Sequence, residues 1–260
     1  MRWASLLSAF FVILIVATPA PAADRIGLVL MHGKTGMPTQ LAKLAAALRT
    51  SGYIVDTPEM CWSKTRIFDK SLADCVAEID KAIAGLKVQG ATRIVVTGMS
   101  LGGTVALYYG ADHTGLAGII ALAPAADPVN PSPFPKFVLS RETAQHMVEA
   151  GQERTIVAFS DIVSGKLVLV RASAANFLSF HGPHSPIITI KSMMRTVLPS
   201  LTIPLLWVSG TRDNSQSIAN EAFASVYRNP LDRHVAVDAD HVGTPDASIA
   251  AVEDWLKTLQ

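Results

Sequence analysis

The sequence predicts an α/β domain, a mostly parallel sheet of about six strands flanked by helices. Short apolar runs alternate with amphipathic stretches along most of the chain. The runs are apolar at successive positions rather than at every second one, as strands buried on both faces require. A glycine-rich turn at 98–103 joins one such run directly to a helical stretch.

Residues 1–22 are set apart from that pattern. A basic start at Arg2, an apolar run over 6–17 and the small residues Ala20-Pro21-Ala22 have the layout of a cleavable secretory signal. The run is too short to cross the ~30 Å hydrocarbon core of a bilayer. The expectation is a mature domain of residues 23–260, periplasmic or secreted, with no stable membrane span once the signal is removed. Losing Arg2 with that segment takes the formal charge from +1 to zero. A neutral chain with no basic run offers nothing to nucleic acid.

Residues 25–31 read as the first buried strand, ending in His32-Gly33. A helix is expected over 38–51, with Leu41, Leu44, Ala45 and Leu48 on one face and Gly52 as its stop. Strand 53–55 follows. Leu72, Val76, Ile79, Ile83 and Leu86 then recur at helical spacing. Next come strand 93–97, helix 101–109 and strand 116–122. The rhythm breaks over 127–199. Pro128, Pro131, Pro133 and Pro135 exclude regular structure at its start, and a helix over 141–150 and a hairpin about Ser164-Gly165 follow. This stretch reads as a lid-like insertion over the sheet. Strand 205–209, helix 215–227, strand 234–237 and helix 247–259 complete the chain.

The chemistry centres on Gly98-Met99-Ser100-Leu101-Gly102, a G-x-S-x-G pattern between a strand and a helix. A serine on so sharp a turn needs minute neighbours two positions to either side, which Gly98 and Gly102 supply. Its hydroxyl needs a base in reach. In chain order, Asp213 follows strand 205–209 and His241 follows strand 234–237, so a serine, an acid and a histidine each end a strand. Asp238 and Asp240, which flank His241, are rival acids.

These residues together resemble the α/β-hydrolase superfamily, in particular its small bacterial esterase-like and dienelactone-hydrolase-like members, over nearly the whole mature sequence. The resemblance implies an α/β-hydrolase fold with catalytic Ser100, His241 and Asp213, the acid's usual place being the loop after the penultimate strand. It implies that His32-Gly33 opens the oxyanion loop and that the backbone N–H groups of Lys34 and Leu101 are the oxyanion donors. The chain departs from the pattern in three respects. Dienelactone hydrolases carry cysteine where Ser100 stands, the strands that usually precede His-Gly are missing, and the three-glycine loop of many lipases is absent.

The expected activity is cleavage of a small-molecule ester through an acyl-enzyme. A peptidase, an acyltransferase or an inactive binding protein on the same fold are the alternatives. No cofactor is expected. His32, Trp62 and Arg66 are candidate pocket residues, although His32 also reads as structural, holding the oxyanion loop, and Trp62 could equally pin its loop; Lys34 and Arg66 make an anionic substrate conceivable. His181 and His184 stand three apart, but with Pro183 between them and no carboxylate pair beside them they read as a lid turn rather than a metal site. Cys61 and Cys75 would be bridged if the chain is exported, or else be buried thiols.

Overall fold

The central strands of the sheet have no face to show to water. In the computed structural model, which describes residues 24–124, 134–226 and 228–260, β1 (Ile26–Met31), β4 (Gly118–Leu122) and β7 (Leu205–Gly210) are buried at every position, and β3 (Arg93–Met99) at all but its first. With β2 (Ile54–Asp56) and β8 (Arg233–Val237) at the edges they form a six-stranded sheet in the order β2-β1-β3-β4-β7-β8. Every pairing is parallel. The alternation of side chains along a strand divides the core in two. Leu28, Leu30, Val95, Ile120 and Leu206 pack beneath α1 (Ala42–Thr50) and α9 (Ile249–Lys257). Val29, Met31, Val96, Ile119 and Trp207 pack beneath α2 (Leu72–Val88) and α3 (Leu101–Asp112). The predicted signal over 1–22 and the proline-rich stretch 125–133 lie outside the described residues, as does Tyr227, the predicted end of a helix.

Several boundaries move. The helix expected over 38–51 is a 3-10 turn, Pro38–Leu41, running into α1. The helix expected over 215–227 is α7 (Gln216–Ala224), and the last one is α9, preceded by a short α8 (Thr244–Ala247) with Ser248 between them. In the insertion the predicted helix starts earlier, as α4 (Pro135–Glu149). Pro135 begins that helix instead of excluding it, because the first turn has no use for the missing N–H. The hairpin is present as antiparallel β5 (Ile156–Val163) and β6 (Lys166–Ser173). Ser164 and Gly165 both have positive φ, 48° and 74°, which suits the tight turn between right-twisted strands. Two further helices, α5 (Ala174–His181) and α6 (Ile190–Thr196), were not foreseen. Together α4 to α6 make a cap whose apolar residues Phe137, Phe159, Phe177 and Phe180 join the same core as α3. The helix α3, buried nearly all round, packs on β3 and β4 and shares that core.

Candidate active site

Ser100 sits between β3 and α3 with φ 55° and ψ −120°, a conformation that costs a non-glycine residue free energy. The glycines around it make the turn possible. A Cβ on Gly98 would stand 2.1 Å from the carbonyl oxygen of Gly102, and one on Gly102 would stand 2.5 Å from that of Met31. The end of β1 and the start of α3 can therefore approach only because Gly102 has no side chain.

Three side chains from separate strand ends meet at this turn. Nε2 of His241 lies 2.9 Å from Oγ of Ser100, and Nδ1 of the same ring lies 2.6 Å from Oδ2 of Asp213. The other oxygen, Oδ1, accepts the Ser215 N–H at 2.9 Å. Burial alone would raise the Asp213 carboxyl, but the His241 bond and the Ser215 amide outweigh it and hold it below the usual carboxylate range. With Asp213 charged, Nδ1 carries the ring proton and Nε2 is free to accept from Ser100. The rival acids are occupied elsewhere: exposed Asp238 pairs with Arg212, and Asp240 accepts the Gly243 N–H at 2.7 Å.

Two amides beside the serine are unspent. In the loop after β1, the Gly33 N–H donates to Oε1 of Gln40 at 2.9 Å, Thr35 N–H to Trp62 O at 2.8 Å and Gly36 N–H to Gly33 O at 2.9 Å. Among the described residues the Lys34 N–H has no acceptor. The same is true of the Leu101 N–H at the head of α3, where the helix dipole also favours negative charge.

The description of the alpha/beta hydrolase family matches residues 28–255. The chain belongs to the α/β-hydrolase family. Among curated proteins it is 35% identical to a thermostable monoacylglycerol lipase of Bacillus sp. (strain H-257) over 105 residues, 39% of this chain and 42% of the lipase. The match thus spans less than half of that relative. Among solved structures the chain is similar to a Paleococcus ferrophilus monoacylglycerol lipase (TM-score 0.63, 18% identity, 90% of this chain and 95% of that one). It is similar also to the α/β hydrolase GrgF from Penicillium sp. sh18 (TM-score 0.66, 16% identity, 92% and 90%). At such identities the structures speak for the fold.

Within this α/β hydrolase two of the candidate pocket residues, His32 and Trp62, are too deeply buried to line a pocket, and the expectation is corrected for those two. His32 and Trp62 have no exposed surface. Nε2 of His32 accepts the Met60 N–H at 3.0 Å, so Nδ1 bears the proton and donates to Gly33 O at 2.8 Å. Burial, the largest influence on this ring, lowers its pKa and keeps it in that neutral form. Trp62 Nε1–H donates to His32 O at 2.9 Å. Both residues hold the loop that follows β1. Arg66 is spent on Glu78 at 2.7 Å and Asp69 at 2.9 Å. A disulfide joins Cys61 to Cys75, Cα atoms 5.8 Å apart, and ties the Trp62 loop to α2. His181 ends α5 and the turn at 182–184 follows it. No group of three or more metal-ligating side chains occurs among the described residues.

Sequence reasoning missed two participants. Gln40 anchors Gly33, and Asp161 of the cap pairs with Lys34 at 2.8 Å, with no exposed surface of its own. The parity of β5 was the available signal for Asp161, which shares the inward face with Val157 and Phe159.

Proposed function

We propose that this chain is an exported serine hydrolase that cleaves carboxylic esters through an acyl-enzyme. The observation that carries the reading is the continuous bonding from Ser100 through His241 to Asp213; the unspent amides of Lys34, which follows a glycine packed against Ser100, and of Leu101, the residue after Ser100, support it. His241 takes the Ser100 proton as the oxygen attacks the ester carbonyl, and Asp213 stabilises the imidazolium without taking the proton. The carbonyl oxygen, now negative, receives hydrogen bonds from the two amides, already oriented before the reaction begins. His241 then returns the proton to the departing alcohol. A water, deprotonated by the same imidazole, attacks the acyl carbonyl and releases Ser100.

A small-molecule ester is the substrate class this reading favours. The named activity of the curated relative, a monoacylglycerol lipase, supports it. Residues 1–22 would be the leader removed on export; the bridge between Cys61 and Cys75 suits an oxidising compartment. Among the described residues no helix is long and apolar enough to cross a membrane.

The test is hydrolysis of p-nitrophenyl acetate by wild type and Ser100→Ala, alongside labelling by a fluorophosphonate. We expect labelling of Ser100 alone and a loss of about six orders of magnitude in kcat for the variant. Equal rates for the two proteins would leave a binding protein on a hydrolase fold as the better account. Detection of a leader-free protein outside the cytoplasm, beginning near Ala23, tests export.

A further inference from the structure

We propose that Asp161 is a positioning residue for the oxyanion hole, acting from the cap through Lys34; this rests on the reading that the Lys34 N–H is an oxyanion donor. Asp161 Oδ1 accepts from Lys34 Nζ at 2.8 Å and from the Ile162 N–H at 2.7 Å. Its Oδ2 faces Nε2 of His181 at 3.4 Å, and neither of these two buried atoms has a hydrogen-bond partner. The His181 ring is packed by Phe68, Phe137 and Phe177, with centroids 5.5, 5.5 and 4.8 Å away, which keep water from the carboxylate. The Lys34 ammonium is therefore the counter-charge of Asp161, and 127 positions of chain separate them.

Stability does not call for such a pair. An apolar pair of similar volume commonly serves a protein interior as well, because desolvation offsets the attraction between the charges. What the pair supplies is direction. The peptide unit between Gly33 and Lys34 is held at its carbonyl end, where Gly33 O accepts from Gly36 N–H and His32 Nδ1. On the other side, Thr35 adopts φ 54° and is bonded to Trp62 O. Lys34 stands between these clamps with its amide unspent, and its side chain is secured by Asp161. The backbone bonds on either side still let the Gly33–Lys34 unit rock about them, and the ion pair is a third tether at the Lys34 Cα; without it the amide is held less closely to one direction. The cap thereby becomes part of the catalytic apparatus without touching the reacting atoms.

The experiment compares wild type, Asp161→Ala, Asp161→Asn and the double variant Lys34→Met/Asp161→Leu, each checked for folding by circular dichroism. kcat and KM are measured on p-nitrophenyl acetate, and Ki for benzeneboronic acid, whose Ser100 adduct carries a tetrahedral oxygen in the hole. Asp161→Ala and the double variant are expected to lose ~10–100-fold in kcat, the scale of a slightly misplaced group. KM should stay within about twofold and the boronate Ki should rise in step with the loss in kcat. Asp161→Asn keeps an oxygen for Lys34 and should recover most of the rate. The double variant buries no unpaired charge, so it remains informative if Asp161→Ala does not fold. Wild-type kcat and Ki in the double variant would overturn the proposal, and so would a rise in KM alone, which would make Asp161 a shaper of the pocket. Failure of the mechanism itself looks different: Ser100→Ala would then remain active.

Discussion

The sheet and the cap hold the site by different means. On the sheet side the work is done by backbone: Ser100 is presented by a turn that two glycines permit, and His32, Gln40 and the Trp62 carbonyl bind the oxyanion loop at its peptide groups. On the cap side a side chain reaches down. Asp161 meets Lys34 from the inward face of a hairpin whose other inward side chains, Val157 and Phe159 among them, are apolar, while α4 and α5 contribute a cluster of aromatic rings. Backbone geometry of this kind tolerates almost no change, since a single Cβ on Gly102 would overlap a carbonyl oxygen. A side-chain tether can be lengthened, neutralised or replaced with a graded loss. The comparison teaches that chemistry should fail abruptly when the sheet side is altered and by degrees when the cap is.

The largest effect tests the sheet side of that contrast. Asp213→Asn retains shape but cannot hold the His241 tautomer, and by the behaviour of such triads kcat should fall by about 10⁴-fold with little change in melting temperature. Asp238→Ala, which removes only an exposed ion pair with Arg212, should leave kcat within about twofold. Steady-state hydrolysis of p-nitrophenyl acetate by both variants decides between the two carboxylates. Comparable losses for both would mean that the bond from Asp213 to His241 is not the one that matters.

Next in size is the disulfide, which belongs to the sheet side and supports it from below. Cys61→Ser/Cys75→Ser opens a loop with a sequence separation of 14, and the chain-entropy model gives about 3 kcal/mol of lost stability. Denaturation in urea should show the loss. Trp62 adjoins Cys61 and bonds the oxyanion loop, so kcat is expected to fall as well. Unaltered kcat in the folded variant would show that the Trp62 loop keeps its place without the bridge.

How much of this was legible follows the same division. The buried strands announce themselves as continuous apolar runs, and the G-x-S-x-G turn requires its strand and helix, so β1, β3, β4 and β7 and the placement of Ser100 could be read directly. Asp213 could be preferred over Asp238 and Asp240, which also follow a strand, only through the family resemblance, which places the acid after the penultimate strand. The cap was harder because its signals are local and weak. Ser173 and Thr189 cap α5 and α6 by accepting the amides of Asn176 and Ser192, yet each stands in a stretch without clear helical periodicity. Pro135 was read as a breaker although it is well suited to a first helical turn. His32 and Trp62 each admit two readings in sequence, since polar or aromatic residues near such a loop look alike whether they face substrate or support the loop. Nothing in local pattern could pair Lys34 with Asp161.

Acid should separate the two regions again, with a smaller effect. His32 beneath the oxyanion loop and His181 in the cap both have pKa values lowered from 6.5, chiefly because burial penalises the cation. The unfolded chain therefore binds protons at these positions before the folded one does. Stability present above about pH 6.5 is lost as pH falls toward the folded-state values, at up to about 1.4 kcal/mol per pH unit for each ring. Urea midpoints measured between pH 7.5 and 5 should decline. His181→Met should flatten the slope and leave the share of His32 and of His234 in β8, whose pKa burial also lowers. A slope unchanged by that substitution would assign the whole effect to the sheet side.

The smallest effect lies on the outer face of the cap. Leu169 is opposite Ser160 in the hairpin and 72% exposed, whereas its neighbour Val170, opposite Phe159, is buried. The two positions differ in parity alone. Leu169→Ala should change stability by no more than about 0.5 kcal/mol and leave kcat as in wild type. Val170→Ala removes two buried methyl groups and should cost about 1–2 kcal/mol at ~0.8 kcal/mol per carbon plus the cavity. Paired urea titrations compare them on one scale. Equal losses at the two positions would mean that the outer face is covered in solution, and the cap would then be held from both sides, as the sheet is.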